Sequence, residues 1–283
     1  MSTVVDENSN SVFCDDRWIA RGSSRVLSLV GPPLAAELDR DRLDAYLKSR
    51  NAYFAIWNIA DPDAGNQWYR CICDTPGYSI DKVESKNSRQ NLRKALKRTE
   101  VRPIEIDWLI PNAYPVYIAA SQRFKHHRIL DRPDFERDLA RSLEGSGRRA
   151  VAAFIDERLV AFMTLIECGE TLFGDRAYFD PGHSSANPMW ALYYSVAHDA
   201  IASGFREFDR GTRPLVHETA VDQFLARLGF RLDPCRLGFH GRQPFMTALR
   251  TGSPLIPGLA ALIRLPFLRS VMGLDHAFRL SRL

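Results

Sequence analysis

No two of the five cysteines, Cys14, Cys71, Cys73, Cys168 and Cys235, form a Cys-x-x-Cys pair. An odd number scattered among strand-like segments fits neither a disulfide framework nor a zinc site. Cys71 and Cys73 alternate as same-face residues of a strand and read as two small buried hydrophobes. No apolar run reaches the ~18 residues that a membrane-spanning helix needs, so an integral membrane protein is not expected. The first eleven residues are polar and lack the basic start and apolar core of a secretory signal. They predict a cytoplasmic chain with a flexible tail over residues 1–22. His126, His127 and His198 show no ligand spacing with acids or cysteines, so no metal is expected. No repeat at a fixed period is visible, which argues against a solenoid.

What is present is an ordinary globular composition. With 283 residues, 45% of them apolar and 25% charged, the chain can bury one large core or two smaller ones. A net charge of +4 is modest, so the placement of the charges is more informative than their sum.

Strand candidates lie at 25–30, 53–59 and 68–73, with a helix-like segment at 34–47 after Pro32-Pro33. A long helix is expected from about Lys82 to Arg98, then a short strand at 101–106 and helices at 111–124 and 132–143. From Arg149 the pattern switches to strands at 150–155 and 159–167, joined by a tight turn at Asp156-Glu157-Arg158, with a third strand running toward Phe179. An amphipathic helix after Pro188, a short strand ending Glu207-Phe208-Asp209-Arg210-Gly211 and a helix closing at Phe224 to Phe230 complete the pattern. Strands interrupted by single helices predict an α+β fold with a mixed, largely antiparallel sheet.

Within the 82–98 segment, Lys82, Lys86, Arg89, Arg93 and Lys97 recur at helical spacing on one narrow face, with Glu84 the only acid among them. Like charges at i,i+4 destabilise a helix by roughly 0.2–0.5 kcal/mol each, so an anionic counterpart is expected. One reading is a rim that holds the phosphates of a nucleotide, a coenzyme or an RNA backbone. The other is a solvated face balanced by acids such as Asp134, Glu136 and Asp138.

The stretch from Tyr178 to Phe230 resembles the second half of a GNAT-superfamily acyltransferase domain in its FemAB-like branch. The residues that carry the likeness are the strand end Ala177-Tyr178-Phe179-Asp180, the Asn187-Pro188-Met189-Trp190-Ala191-Leu192 helix start and the Asp209-Arg210-Gly211 strand end. The basic helix, followed by an isolated Val/Ile strand, is similar to the segment linking the two halves of FemAB-like proteins. The resemblance covers roughly Lys82 to Phe239 and implies that residues 23–110 form a degenerate half-copy ending in the basic helix, with an acyltransferase domain at 111–250. It also implies amide formation, with an activated acyl group and an amine held beside a splayed pair of central strands.

By that likeness, Asp209, with His217, would orient or deprotonate the amine, and Tyr178 would donate a proton. Lys86, Arg89, Arg93, Lys97, Ser185, Asn187 and Trp190 would hold the donor. Each also has a plainer reading: Asp209 as the holder of a loop, Tyr178 as a core aromatic, and Ser185 or Asn187 as a helix cap ahead of Pro188. Relatives that use coenzyme A carry a Gln/Arg-x-x-Gly-x-Gly/Ala loop, and Pro181 to Pro188 departs from it. That departure, together with the basic helix, favours an aminoacyl-tRNA donor over acyl-CoA. A small-molecule or peptide amine is the expected acceptor. A non-catalytic RNA-binding protein and a pseudoenzyme partner are the alternatives. Gly182-His183-Ser184-Ser185-Ala186 is a poor nucleophile elbow, because its last glycine is replaced and Asn187-Pro188 separates the serine from the helix. The apolar, arginine-dotted segment 251–283 is broken by Pro254, Pro257 and Pro266, which favours packing on the body over a membrane surface.

Overall fold

The computed structural model describes residues 17–21, 25–61, 63, 68–122, 129–211, 219–243 and 246–247. In chain order the elements are β1 (Trp18–Arg21), β2 (Val26–Leu29), α1 (Arg40–Ser49), β3 (Phe54–Ile59), β4 (Tyr69–Cys73), α2 (Lys86–Arg98), β5 (Glu100–Ile104), α3 (Ile106–Asn112), α4 (Tyr114–Ser121), α5 (Arg132–Ser142), β6 (Arg148–Ile155), β7 (Arg158–Cys168), β8 (Thr171–Phe179), α6 (Pro188–Ala202), β9 (Glu207–Asp209), α7 (Thr219–Arg227), β10 (Arg231–Pro234) and β11 (Arg236–Gly241). The architecture is mixed α+β, with helices on the sheets. The described residues divide into two compact units, 17–70 with 233–247, and 71–211 with 219–232.

The first unit is built on the sheet β1-β2-β3-β11. β2 and β3 are parallel, and α1 makes the crossover that parallel neighbours require. α1 starts at Arg40, later than its apolar pattern suggests, because the Asp39 carboxylate accepts the Arg42 N–H and so fixes the N-cap there. Leu34 instead bridges to Ile59. Leu43 and Leu47 of α1 pack with Ala55, Trp57 and Ile59 on one face of the sheet. Phe54, Ile56 and Leu237 belong to a second cluster with Trp68 and Met246. β1 lies inside the stretch read from sequence as a tail and pairs antiparallel with β2.

The second unit carries the seven-stranded sheet β10-β4-β9-β8-β7-β6-β5. β5 to β8 form an antiparallel meander. Asp156 and Glu157 both have positive φ, as a two-residue hairpin turn requires. α3 to α5 cover one face, where Leu109, Phe135 and Leu139 pack with Ala150, Ala152, Phe154 and Phe162. Two helices at 106–112 and 114–121 replace the single one expected at 111–124. α6 links β8 to β9, which run parallel, and packs on the sheet. α2 packs in turn on α6 through the buried Ser88, Leu92 and Ala95. α2 begins at Lys86 rather than Lys82, because the Ser85 hydroxyl accepts the Ser88 N–H and caps it; Lys82 closes a separate short 3-10 turn, Ile80–Lys82. No helix among the described residues is long and apolar enough to cross a membrane.

Candidate active site

The site is a fork between two parallel strands. β8 and β9 pair only at Thr171↔Glu207, Leu172↔Phe208 and Phe173↔Asp209, after which β8 continues to Phe179 while β9 ends. Two glycines let the backbones meet at the crotch of the fork. A Cβ on Gly174 would lie 2.9 Å from the Arg210 carbonyl oxygen, and one on Gly211 would lie 1.9 Å from the Gly174 oxygen. Gly211 also has φ +109, a conformation that side-chain-bearing residues rarely adopt.

Asp209 ends β9 at 1% exposure, and its carboxylate accepts the Gly211 N–H at 2.9 Å. It therefore holds the loop as its plainer reading expects, at the same place where the strands part. Tyr178 lies five residues beyond Phe173, the partner of Asp209, which is roughly 16 Å along the strand. The two side chains are thus not one proton-transfer pair. Tyr178 packs edge-on against Tyr117 at 5.5 Å and beside Phe162 at 5.3 Å, and its burial pushes the phenol pKa up, with the nearby Arg176 opposing. His217 lies outside the described residues, as do His126, His127, Cys14 and the segment 251–283.

The turn Pro181–Ala186 and the start of α6 follow β8. The Asp180 carboxylate accepts the Gly182 N–H at 2.9 Å, which shapes the turn. Asn187 has φ 55 and ψ 48, and its side chain makes no capping hydrogen bond. The expected Asn187 cap is therefore absent: this residue serves through its tolerance of the left-handed conformation, which aims the chain into α6. Ser185 is an exposed member of the turn. Trp190 contacts Phe224 of α7 edge-on at 5.6 Å, and Tyr193 contacts the same ring at 5.7 Å. Trp190 is thus part of an aromatic cluster between the two helices.

α2 packs against both α6 and this turn, so the basic helix and the Ser185-Asn187 region share one neighbourhood. Lys86, Arg93 and Lys97 are exposed, and none of them forms an ion pair with a described residue. Arg89 is partly covered and donates to the Val83 carbonyl at 2.7 Å, which commits it to the entry of the helix. The acids expected to balance the stripe are engaged elsewhere. Asp134 pairs with Arg137, Glu136 with Arg132 and Asp138 with Arg176.

Two clusters escaped the sequence reading. Opposite Thr164 and Leu165, β8 carries an extra residue, Asp175, whose side chain is fully buried. Its carboxylate accepts the Thr164 hydroxyl at 3.3 Å and lies 3.5 Å from Arg176, which donates to Asp138 at 2.6 Å. Burial acts to lower the Arg176 pKa, but the hydrogen bond to Asp138 and the charge of Asp175 outweigh it, and the pKa sits above the ordinary arginine value. The second cluster joins Arg210, next after Asp209, to Asp222 of α7 and Cys71 of β4. The thiol donates to Asp222 at 3.4 Å, and burial pushes its pKa up to about 12. Nothing in local periodicity marks either cluster, since each depends on strand pairing or on contact between distant segments.

Residues 86–218 match the family model described as the acetyltransferase (GNAT) domain. That span runs from the basic helix through the fork. Among solved structures, FemX superposes with a TM-score of 0.55 over 79% of this chain and 82% of its own, at 11% identity. The C-terminal domain of a protein described as a lysylphosphatidylglycerol synthetase, from Agrobacterium fabrum, gives 0.50 over 82% of each chain at 12% identity. At these identities the two structures establish a shared fold. A search of curated proteins gave no match.

Proposed function

We propose that this chain, which carries a GNAT acyltransferase domain at residues 86–218, forms amide bonds by moving an acyl or aminoacyl group from an activated donor to an amine. The observation that carries this reading is the fork itself: a parallel strand pair that opens after three residues, with the uncapped start of α6 and the basic helix close by. The chemistry asks little of side chains. The amine nitrogen bonds to the acyl carbonyl carbon, the leaving group departs with its electron pair, and the proton lost by nitrogen passes to a base or to the leaving oxygen or sulfur. Alignment of the reactants and backbone N–H groups facing the developing oxyanion supply most of the acceleration.

Asp209 sets the shape of the fork through Gly211 and is the candidate to orient the amine. Tyr178, packed against Tyr117 and Phe162 and roughly 16 Å along β8 from Asp209, takes no step in the transfer, so the proton goes to solvent or to the leaving group. The start of α6 has no side-chain cap; Pro188 carries no N–H and the Trp190 N–H donates to the Asn187 carbonyl, which leaves the positive end of the helix, with the Met189 N–H, to suit an anionic or polarised oxygen.

On the donor, the basic stripe favours aminoacyl-tRNA over acyl-CoA. Lys86 to Lys97 spans about 16 Å of helix, longer than one pyrophosphate, and three exposed cations there have no acid partner among the described residues. A phosphate backbone matches such a line of charge. The test compares the melting temperature of the protein with acetyl-CoA, longer acyl-CoA, and charged or uncharged tRNA, since a ligand of the native state raises it. Stabilisation by charged tRNA above uncharged tRNA is expected. A response to acyl-CoA alone would move the donor to the coenzyme class. Equal, strongly salt-dependent binding of both tRNA forms without transfer would support the non-catalytic RNA-binding reading, which the exposed Lys86, Arg93 and Lys97 also favour.

A further inference from the structure

Arg210 follows Asp209 at the fork, and its side chain is only 10% exposed. Its Nε and Nη2 atoms are buried, and neither has a hydrogen-bond partner among the described residues. These two nitrogens lie on the same edge of the guanidinium, the edge whose parallel N–H groups match two oxygens of a carboxylate or phosphate. Asp222 is the near acid, but its Oδ1 stands 3.9 Å from Nη2, beyond hydrogen-bond range, and that oxygen already accepts the Cys71 thiol. A buried cation with unmade hydrogen bonds costs a fold several kcal/mol unless something else supplies the acceptors. The carboxylate of Asp209 is committed to the Gly211 N–H and that of Asp222 to Cys71, so no described side chain takes this edge.

We propose that Arg210 is the anchor for an oxyanion, a carboxylate or phosphate group, of a ligand that enters at the fork. This rests on the reading of the fork as the transfer site and narrows the substrate class: one of the two reactants carries an anionic group close to the bond being formed. An amine acceptor that is also a carboxylic acid meets this requirement, as does a phosphate-bearing one. Asp222 stands beside the same edge, so a bound anion is repelled by it and binding by the isolated group is weak. Removing that charge strengthens it.

The test measures the melting temperature of the full chain against sodium acetate and, separately, sodium phosphate at up to 100 mM, with sodium chloride at matched ionic strength as the reference. A dissociation constant near 10 mM predicts a rise of roughly 3–5 °C above the chloride control. R210Q loses the rise, R210K keeps only part of it because an ammonium cannot offer two parallel N–H groups, and D222N binds the same anion roughly tenfold more tightly through lost repulsion. A response to acetate alone identifies a carboxylate, and one to phosphate alone a phosphate. If R210Q does not fold, the arginine Nε–H resonance in wild type and D222N reports the same event, shifting on saturation with the anion. No response beyond chloride in wild type and D222N overturns the proposal, and so does an equal response in R210Q. Anion binding is read here without any acyl transfer, so failure to find a donor would count against the transferase reading and leave the Arg210 result standing on its own.

Discussion

Replacing Gly211 by alanine should force β8 and β9 apart at the crotch of the fork, and the structure gives the size of the effect. Two penalties combine. A side chain at φ +109 costs about 1–3 kcal/mol in backbone strain. The new Cβ would sit 1.9 Å from the Gly174 oxygen, so strand backbone has to retreat by about 1 Å where β8 and β9 share only three residue pairs. Backbone cannot swing aside as a side chain does, and weakening this short ladder adds about 2 kcal/mol. The sum is about 4 kcal/mol. Gly204 provides the control. It has φ +92 but nothing within 4 Å of its ideal Cβ, so G204A meets the strain alone, about 1–3 kcal/mol. Urea unfolding followed by circular dichroism on both variants isolates the close approach as the difference between them, about 2 kcal/mol. Loss of stability in G211A no greater than in G204A would refute the backbone contact and, with it, the geometry of the fork.

Other expectations follow from named contacts. Replacing Lys86, Arg93 and Lys97 together by glutamine should weaken RNA binding at low salt and reduce the slope of log K against log salt by about 2–3, with little change in stability, whereas Arg89 should not be included because it holds the helix entry through Val83. Equal slopes in filter-binding titrations would remove the stripe from donor binding. D209N keeps an oxygen for the Gly211 N–H, so its fold should survive; turnover should fall by more than tenfold while donor affinity changes little, and full turnover would leave Asp209 with the loop alone. Stability should fall above about pH 9. Cys71 and Cys73 have thiols pushed from 9.0 up to about 12 by burial, so the native state keeps protons that the unfolded chain gives up. Their contribution is whole below pH 9 and declines as pH rises toward 12, about 1 kcal/mol for each thiol at pH 10. A urea midpoint that stays flat from pH 8 to pH 10 would contradict this.

Much of the second unit was legible because its signals are local. The Asp156-Glu157 turn and the helix after Pro188 are each decided by a few neighbouring residues. Where the reading slipped by a few positions, a polar cap overrode periodicity, as Ser85 does for the basic helix and Asp39 for α1. The first unit was less legible. β1 has only four residues, and β11 reaches β3 from 177 positions away at Arg236↔Ile59, a pairing no local pattern encodes. The same holds within the site. Asp209 stood out as the end of a short strand, but that its carboxylate turns back on Gly211 depends on a backbone conformation two residues later. Arg210 gave no signal, because its importance lies in the distance to an aspartate on a later helix and in the bonds its guanidinium does not make with the described residues.

The central claim is that the fork joins an acyl group to an amine. The most direct measurement incubates the purified chain with charged tRNA, or separately with acyl-CoA, and a mixed set of amines, including amino acids and short peptides, and follows the acceptors by mass spectrometry. The account predicts a new amide whose mass increase equals the donated acyl group, formed by wild type and strongly reduced in D209N. Acceptors left unmodified with every donor, by a folded protein at high concentration, would contradict it.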